Sequence, residues 1–256
     1  YKCATDASMR DLVAHVRSAR RSRVLVPAIE WLIAHRRIYD AVIRLAGATQ
    51  GLWNNRVGRR LIAALPGGLL PTPMPVERYV PRLAGSSVES RHRELVGIPA
   101  SQADVAYFYG CSSDFLAMPI VDGFLAVALH NDIRVSLPEV RCCGEPFAAV
   151  GNLDEYHRQA RYNIDALAGY PHVVAHCPSC LLAFAEYAKD FARIGDQEYE
   201  TKARELAARV MDPARYLFEV IGADRLARPQ VGAPRKVAVH LSCHEKLEHQ
   251  MTATDN

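Results

Sequence analysis

Apolar side chains follow two different spacings along this chain. Between residues 20 and 46 they recur every three or four positions with arginines between them, which predicts amphipathic helices. After residue 100, short apolar runs alternate with longer amphipathic stretches, a pattern typical of βαβ units. We therefore predict an α/β fold with a parallel sheet in βαβαβ order, preceded by a basic helical segment.

The predicted elements beyond residue 100 can be placed individually. Strands are expected at residues 104–109, 133–137, 172–175 and 236–241. Helices are expected at residues 113–131, 152–168, from near Cys180 onward, 198–211 and 214–221. The last of these helices follows Asp212 and Pro213, which are favoured as N-cap and first helical residue.

Prolines separate the basic helices from the α/β part. Pro66, Pro71, Pro73, Pro75 and Pro81 exclude a continuous helix between residues 61 and 81. We predict a connector over residues 61–100, between a helical segment in residues 1–60 and a domain in residues 101–235. The chain opens at Tyr1 without a signal-peptide pattern, and we expect it to be a fragment of a longer protein.

Charge is unevenly distributed along the chain. The net charge of +3 is too small to imply nucleic-acid binding, and no apolar stretch approaches the roughly 18 residues of a membrane-spanning helix. Residues 10–60, however, carry eleven arginines against three acidic residues. Next to Trp31 and Trp53, this basic segment fits either a solvated helix face packed on the main domain or a helix that docks on a partner or an anionic membrane surface.

Six of the seven cysteines lie at or just past the ends of predicted strands, and five of them fall between residues 111 and 180. Cys111 follows the first strand, Cys142 and Cys143 follow the second, and Cys177 follows the third, with Cys180 completing a Cys-x-x-Cys pair. Because ligands of open α/β sheets bind outside the carboxyl ends of the strands, these thiols should meet at one rim. The grouping favours metal or redox chemistry in a reducing compartment over a disulfide framework.

The number and spacing of these thiols bear on the kind of centre they form. Thiolates are soft ligands that favour iron–sulfur clusters and zinc. A structural zinc site is normally closed by four ligands in two local pairs. Adjacent cysteines such as Cys142 and Cys143 cannot easily bind one ion together, but they can reach different irons of a cluster. The residues alone leave open a metal-free dithiol pair at Cys177 and Cys180, a zinc-bound scaffold, and buried cysteines without a ligand role.

The cysteine pattern resembles a known family. Thirty residues separate Cys111 from Cys142-Cys143-Gly144, and thirty-two more lead to Cys177-x-x-Cys180. This arrangement is similar to the cysteine-rich CCG domain of heterodisulfide reductase subunits and of iron–sulfur subunits of glycolate and lactate oxidases. The nearest resemblance is to the iron–sulfur C subunit of anaerobic glycerol-3-phosphate dehydrogenase, through residues 107–111, 141–146 and 236–244.

This resemblance implies a cofactor and its ligands. Cys111, Cys142, Cys143, Cys177 and Cys180 would bind a [4Fe–4S] cluster, which is noncubane in the heterodisulfide reductase relatives. Two more cysteines would serve other metal centres. Cys3 looks like the last cysteine of an N-terminal ferredoxin-like module, and Cys243 looks like the first cysteine of a second CCG repeat that begins in residues 236–256. His176, His240 and His244 flank these cysteines as candidate ligands, proton relays or hydrogen-bond donors.

The resemblance also implies a function. The chain would be the iron–sulfur electron-transfer subunit of a multisubunit, flavin-linked dehydrogenase, cytoplasmic and peripherally associated with the cytoplasmic membrane. Its partners would be a flavoprotein subunit that oxidises the substrate and a quinone or membrane surface, with no nucleic acid. A separate flavoprotein agrees with the absence of GxGxxG and Walker A motifs from the sequence. The alternative is a heterodisulfide reductase-type cluster that itself catalyses disulfide reduction.

Overall fold

The computed structural model describes residues 16, 25–63, 82–111, 113–227, 236 and 238. Several of the sequence predictions therefore lie outside the described residues. These are the ligands Cys3 and Cys243, the flanking His240 and His244, the strand at 236–241 and most of the proline-rich stretch. The division of the chain into domains stays a prediction.

Four short parallel strands form one sheet. They are β1 (Val105–Tyr107), β2 (Val135–Ser136), β3 (Val173–Val174) and β4 (Val210–Met211), and their order across the sheet is β2-β1-β3-β4. Every residue in these strands is buried, as expected for a parallel sheet covered on both faces. The sheet confirms the predicted α/β class.

Helices precede the sheet and connect its strands. The first five are α1 (Leu25–Ala34), α2 (Arg36–Ala48), α3 (Gln50–Trp53), α4 (Arg56–Ala63) and α5 (Val88–Arg91). The connecting helices are α6 (Met118–His130), α7 (Glu145–Ala149), α8 (Leu153–Leu167), α9 (Pro178–Arg193) and α10 (Gln197–Ala207). Beyond β4 lies α11 (Pro213–Arg215), continued by a π-helix at Tyr216–Gly222, and short 3₁₀ turns occupy Arg93–Leu95 and Ala100–Gln102.

Two helices begin with a polar residue whose side chain caps the first turn. The Asn152 side chain accepts a hydrogen bond from the Glu155 amide at the start of α8, and Asp212 accepts from Ala214 and Arg215 at the start of α11. The predicted N-cap role of Asp212 is confirmed.

Two predicted helices are wrong in extent. The helix expected at 198–211 ends at Ala207, and Val210–Met211 forms β4 instead. Pairing with β3 outweighs the helical pattern, because the Ala175 amide donates to the Met211 carbonyl at 3.1 Å. The helix expected at 113–131 begins only at Met118, since the preceding residues turn tightly after β1, with the Ser113 amide bonded to the Gly110 carbonyl.

The basic helix α2 packs against the loop that follows β1. The Arg36 guanidinium pairs with the fully buried Asp114 carboxylate at 2.6 Å, and the Tyr39 hydroxyl donates to the Cys111 carbonyl at 3.1 Å. One face of the basic segment therefore lies on the α/β domain. Its outer face leaves apolar side chains exposed, namely Trp31, Ile38, Val42, Leu45 and Leu52.

None of the helices in the described part of the chain combines the length and apolar character needed to cross a bilayer.

Replacing Arg36 with methionine should destabilise the fold, because it leaves the Asp114 carboxylate buried without its cation. Burial already raises the pKa of Asp114 to about 6, and losing Arg36 would raise this pKa further. We expect the free energy of unfolding to fall by about 3–5 kcal/mol at pH values above the raised pKa of Asp114 in the variant. The loss should shrink as the pH falls from there towards about 6, because the folded variant takes up a proton on Asp114 at a higher pH than the folded wild type does. Below about pH 6 the loss should change little, because both folded proteins then hold that proton.

The control for this experiment is Arg37→Met on the same helix, because Arg37 is exposed. Its effect should stay within about 0.5 kcal/mol. Urea denaturation followed by circular dichroism measures both variants, and equal losses in the two would contradict the assigned role of Arg36.

Candidate metal centre

The carboxyl ends of three strands bring the five cysteines together. Cys111 follows β1, Cys142 and Cys143 lie in the loop after β2, and Cys177 follows β3 as the N-cap of α9. Cys180 lies in the first turn of α9, where its amide donates to the Cys177 carbonyl at 2.9 Å. This edge of the sheet is where open α/β folds bind their ligands.

Contacts link the five thiols in the order Cys111, Cys142, Cys143, Cys180 and Cys177. The sulfurs of Cys111 and Cys142 are 3.7 Å apart, and thiol hydrogen bonds join each later pair in this order. The three middle thiols are buried, the two end thiols are partly exposed, and all five are free of disulfides. The predicted convergence of these thiols is therefore present in the fold.

The chemistry of the five donors indicates which group they could hold. In the described part of the chain, no three histidine, cysteine, aspartate or glutamate side chains surround one point as a single metal ion requires. Thiolates are the soft donors that iron–sulfur clusters take, and five neighbouring thiolates could be distributed over the irons of one cluster. The donor set therefore fits an iron–sulfur group, with each thiol as a candidate ligand.

The buried thiols differ in how readily they ionise. The pKa of Cys143 is well below its usual value, first because the Cys142 and Cys180 thiols donate to its sulfur, and also because the Glu145 amide does. The pKa values of Cys142 and Cys180 are raised, because each thiol donates to a neighbouring sulfur and is buried. Cys143 is therefore the thiol of this group that ionises most readily, and the thiolate is the form that binds metal.

Gly144 is required by the backbone beside the adjacent cysteines. Its φ of +93° lies in the left-handed region, and a Cβ here would stand 2.7 Å from Cδ2 of Tyr156. The chain turns at this glycine directly into α7. The glycine of the CCG motif thus lets the loop pass against the buried ring of Tyr156.

Two buried side chains hold the main chain of the adjacent cysteines. Asn163 of α8 accepts from the Arg141 amide at 2.8 Å and donates to the Cys142 carbonyl at 2.9 Å. Tyr187 of α9 donates its hydroxyl to the Cys143 carbonyl at 2.5 Å. Sequence reasoning did not single out either residue. Asn163 could have been noticed as a polar residue on the apolar face of α8, because it follows buried Tyr156 and Ala160 at helical spacing.

His176 is placed beside the cysteines, as expected from its position. Its Nδ1 lies 2.5 Å from the hydroxyl of buried Tyr107, and desolvation lowers its pKa to about 4. The histidine is therefore neutral near pH 7, and its described partner is a tyrosine rather than a thiol.

Comparison with known proteins finds similarity in the part of the chain that carries the five cysteines. Residues 105–185 match the family model of the cysteine-rich domain named CCG. Lactate utilization protein A from Shouchella clausii is 28% identical over 144 residues, which cover 55% of this chain and 57% of that protein. Lactate utilization protein A 1 from Bacillus mycoides is 27% identical over 141 residues, covering 55% of this chain and 56% of that protein.

The match has clear limits of extent. The aligned part spans little more than half the length of these curated relatives. No solved structure matches the chain.

The fold and the thiols together define an α/β protein with a cysteine-lined site at the carboxyl edge of its sheet. Residues 105–185 of this chain match the model of the CCG cysteine-rich domain. The family resemblance inferred from the cysteine spacing is confirmed.

Substituting Gly144 with alanine should damage both the fold and the thiol site. The positive φ and the contact with Tyr156 predict a loss of about 1–3 kcal/mol in the free energy of unfolding. Gly123→Ala is the matched control, because Gly123 lies exposed in the middle of α6, where an added Cβ would meet nothing within 4 Å. It should gain about 0.5–1 kcal/mol. Thermal and urea unfolding of both variants measure the difference, and a neutral Gly144→Ala would contradict the assigned backbone role.

Proposed function

We propose that this chain is an iron–sulfur electron-transfer subunit of a flavin-linked dehydrogenase system. The observation that carries this proposal is the set of five contacting thiols at the carboxyl edge of the sheet. Cys111, Cys142, Cys143, Cys177 and Cys180 would hold the cluster, proposed as [4Fe–4S]. When bound, such a group supplies one-electron transfer, with a potential set by its hydrogen bonds and solvent exposure.

The protein's own residues would shape the surroundings of the cluster. Cys142, Cys143 and Cys180 are buried, so their thiols would hold the cluster away from water. The amide of Glu145 donates to the Cys143 sulfur, and such a bond favours the thiolate and raises the potential of a cluster. The partly exposed Cys111 and Cys177 mark the side on which electrons would enter or leave.

The substrate of the system is proposed to be a 2-hydroxy acid such as lactate. Support comes from the relatives, which are named lactate utilization protein A. Glycerol 3-phosphate, the substrate indicated by the resemblance in the cysteine spacing, has no such support from these relatives and is the weaker proposal. Substrate oxidation itself would take place on a separate flavoprotein subunit.

The basic N-terminal helices support a docking role for this subunit. Trp31, Leu45 and Leu52 are at least half exposed along α1 to α3, and Arg37 and Arg56 lie exposed on the same segment. Such a surface suits a protein partner or the anionic face of a membrane, from which electrons would pass to quinone. The cytoplasmic, peripheral location and these partners are part of the proposal.

Metal analysis tests the proposed cofactor. In the chain purified without oxygen, we expect about four irons and four acid-labile sulfides. Cys143→Ser should lose or alter the cluster because it removes the central thiolate, whereas Ser179→Ala changes the same Cys-x-x-Cys turn without removing a thiol and should keep the iron. About one zinc with no sulfide would favour a scaffold instead, and an iron-free protein would contradict the proposal.

Response to thiols separates electron relay from disulfide chemistry. A relay cluster should be reduced reversibly without any thiol, and the spectrum of its oxidised form should not change when a small thiol is added. Electron paramagnetic resonance during a redox titration, with and without the thiol, measures both properties. A new paramagnetic state that forms only when the thiol meets the oxidised protein would favour the heterodisulfide reductase-type alternative.

A further inference from the structure

Two hydrogen bonds hold the backbone of Cys142-Cys143 from two different helices. The carbonyl of Cys142 accepts from Asn163 of α8, and the carbonyl of Cys143 accepts from Tyr187 of α9. Both side chains are fully buried. Neither belongs to the cysteine motif.

These bonds fix the peptide planes on both sides of Cys143. A peptide group is planar, so for given positions of the two flanking Cα atoms the direction of its carbonyl sets the orientation of the whole plane. The Cys142 carbonyl belongs to the plane before Cys143, and the Cys143 carbonyl belongs to the plane after it. Holding both planes leaves Cys143 little freedom in φ or ψ, and therefore sets the direction of its Cα–Cβ bond, from which the thiol extends.

The direction of each thiol matters because the two adjacent cysteines meet different partners. Cys142 contacts Cys111, whereas Cys143 contacts Cys180. Helix α9 carries both Cys180 and Tyr187, which lie seven residues apart and so on one face of the helix. One rigid element thereby sets both the position of the Cys180 sulfur and the backbone of its neighbour Cys143.

We propose that Tyr187 and Asn163 are positioning residues for the metal centre, which direct the Cys142 and Cys143 thiolates onto different atoms of one cluster. The inference rests on the proposed iron–sulfur function. The two residues would not touch the cluster themselves but would determine its ligand geometry, and through it the spectrum and the lability of the cluster.

The test compares two buried tyrosines whose hydroxyls donate hydrogen bonds to different acceptors. Tyr187→Phe removes the bond to the Cys143 carbonyl. Tyr156→Phe is the matched control, because Tyr156 is equally buried, lies against Tyr187 with ring centroids 5.8 Å apart, and donates to Asp190 rather than to a cysteine. Each variant loses one buried hydrogen bond, so a merely structural effect should lower the stability of both.

Both variants and the wild-type chain are to be purified without oxygen and measured in two ways. The first is the electron paramagnetic resonance spectrum, and the second is the rate at which an iron chelator removes the metal. We expect Tyr187→Phe to shift the g values and to release iron about tenfold faster than wild type. Tyr156→Phe should keep the wild-type spectrum and rate.

Each result decides between defined alternatives. If the wild type holds a cluster and Tyr187→Phe matches Tyr156→Phe in both readouts, the positioning role is wrong while the proposed function stands. If the wild type binds no iron, the proposed function fails and this inference fails with it. If Tyr187→Phe is not recovered folded, Asn163→Ala is measured in its place, with the same spectrum and the same rate of iron release. A wild-type spectrum and rate in Asn163→Ala would overturn the inference.

Discussion

Parallel pairing of the central strand β1 with both β2 and β3 is the constraint on which the site depends. Ala106 lies opposite both Ser136 and Val173, so the three strands end at the same edge of the sheet. Chain segments leaving that edge carry all five thiols within short loops or the first turn of a helix. The strands are only two or three residues long, and their complete burial under helices on both faces stabilises this alignment.

The loops themselves are fixed by contacts that lie outside the cysteine motif. Helix α2 holds the Cys111 loop through the Arg36–Asp114 ion pair and the Tyr39 hydroxyl, while α8 and α9 hold the backbone of the adjacent cysteines. Three separate elements thus converge on the turns that present the thiols. This agrees with the general requirement that the ligands of a metal centre be oriented by a second layer of hydrogen bonds.

Much of the α/β domain was predictable because its strands are short apolar runs followed by cysteines. The resemblance to the CCG cysteine-rich domain, the parallel sheet and the gathering of five thiols followed from that spacing. The strand Val210–Met211 did not, because two apolar residues at the end of a helical pattern carry no local sign of pairing with β3. The Arg36–Asp114 ion pair could not be predicted either, because the two residues are seventy-eight positions apart in the sequence and meet only in the folded chain. The roles of Asn163 and Tyr187 depend on backbone carbonyls, which side-chain patterns do not reveal.

The proposed function depends on whether the five thiols bind one multi-iron cluster or separate ions. X-ray absorption at the iron edge of the oxygen-free wild-type chain distinguishes these two arrangements, because it reports the atoms around each iron. We predict iron surrounded by sulfur alone, with a second shell of neighbouring iron atoms. Iron bound by nitrogen or oxygen without iron neighbours, or zinc in place of iron, would contradict it.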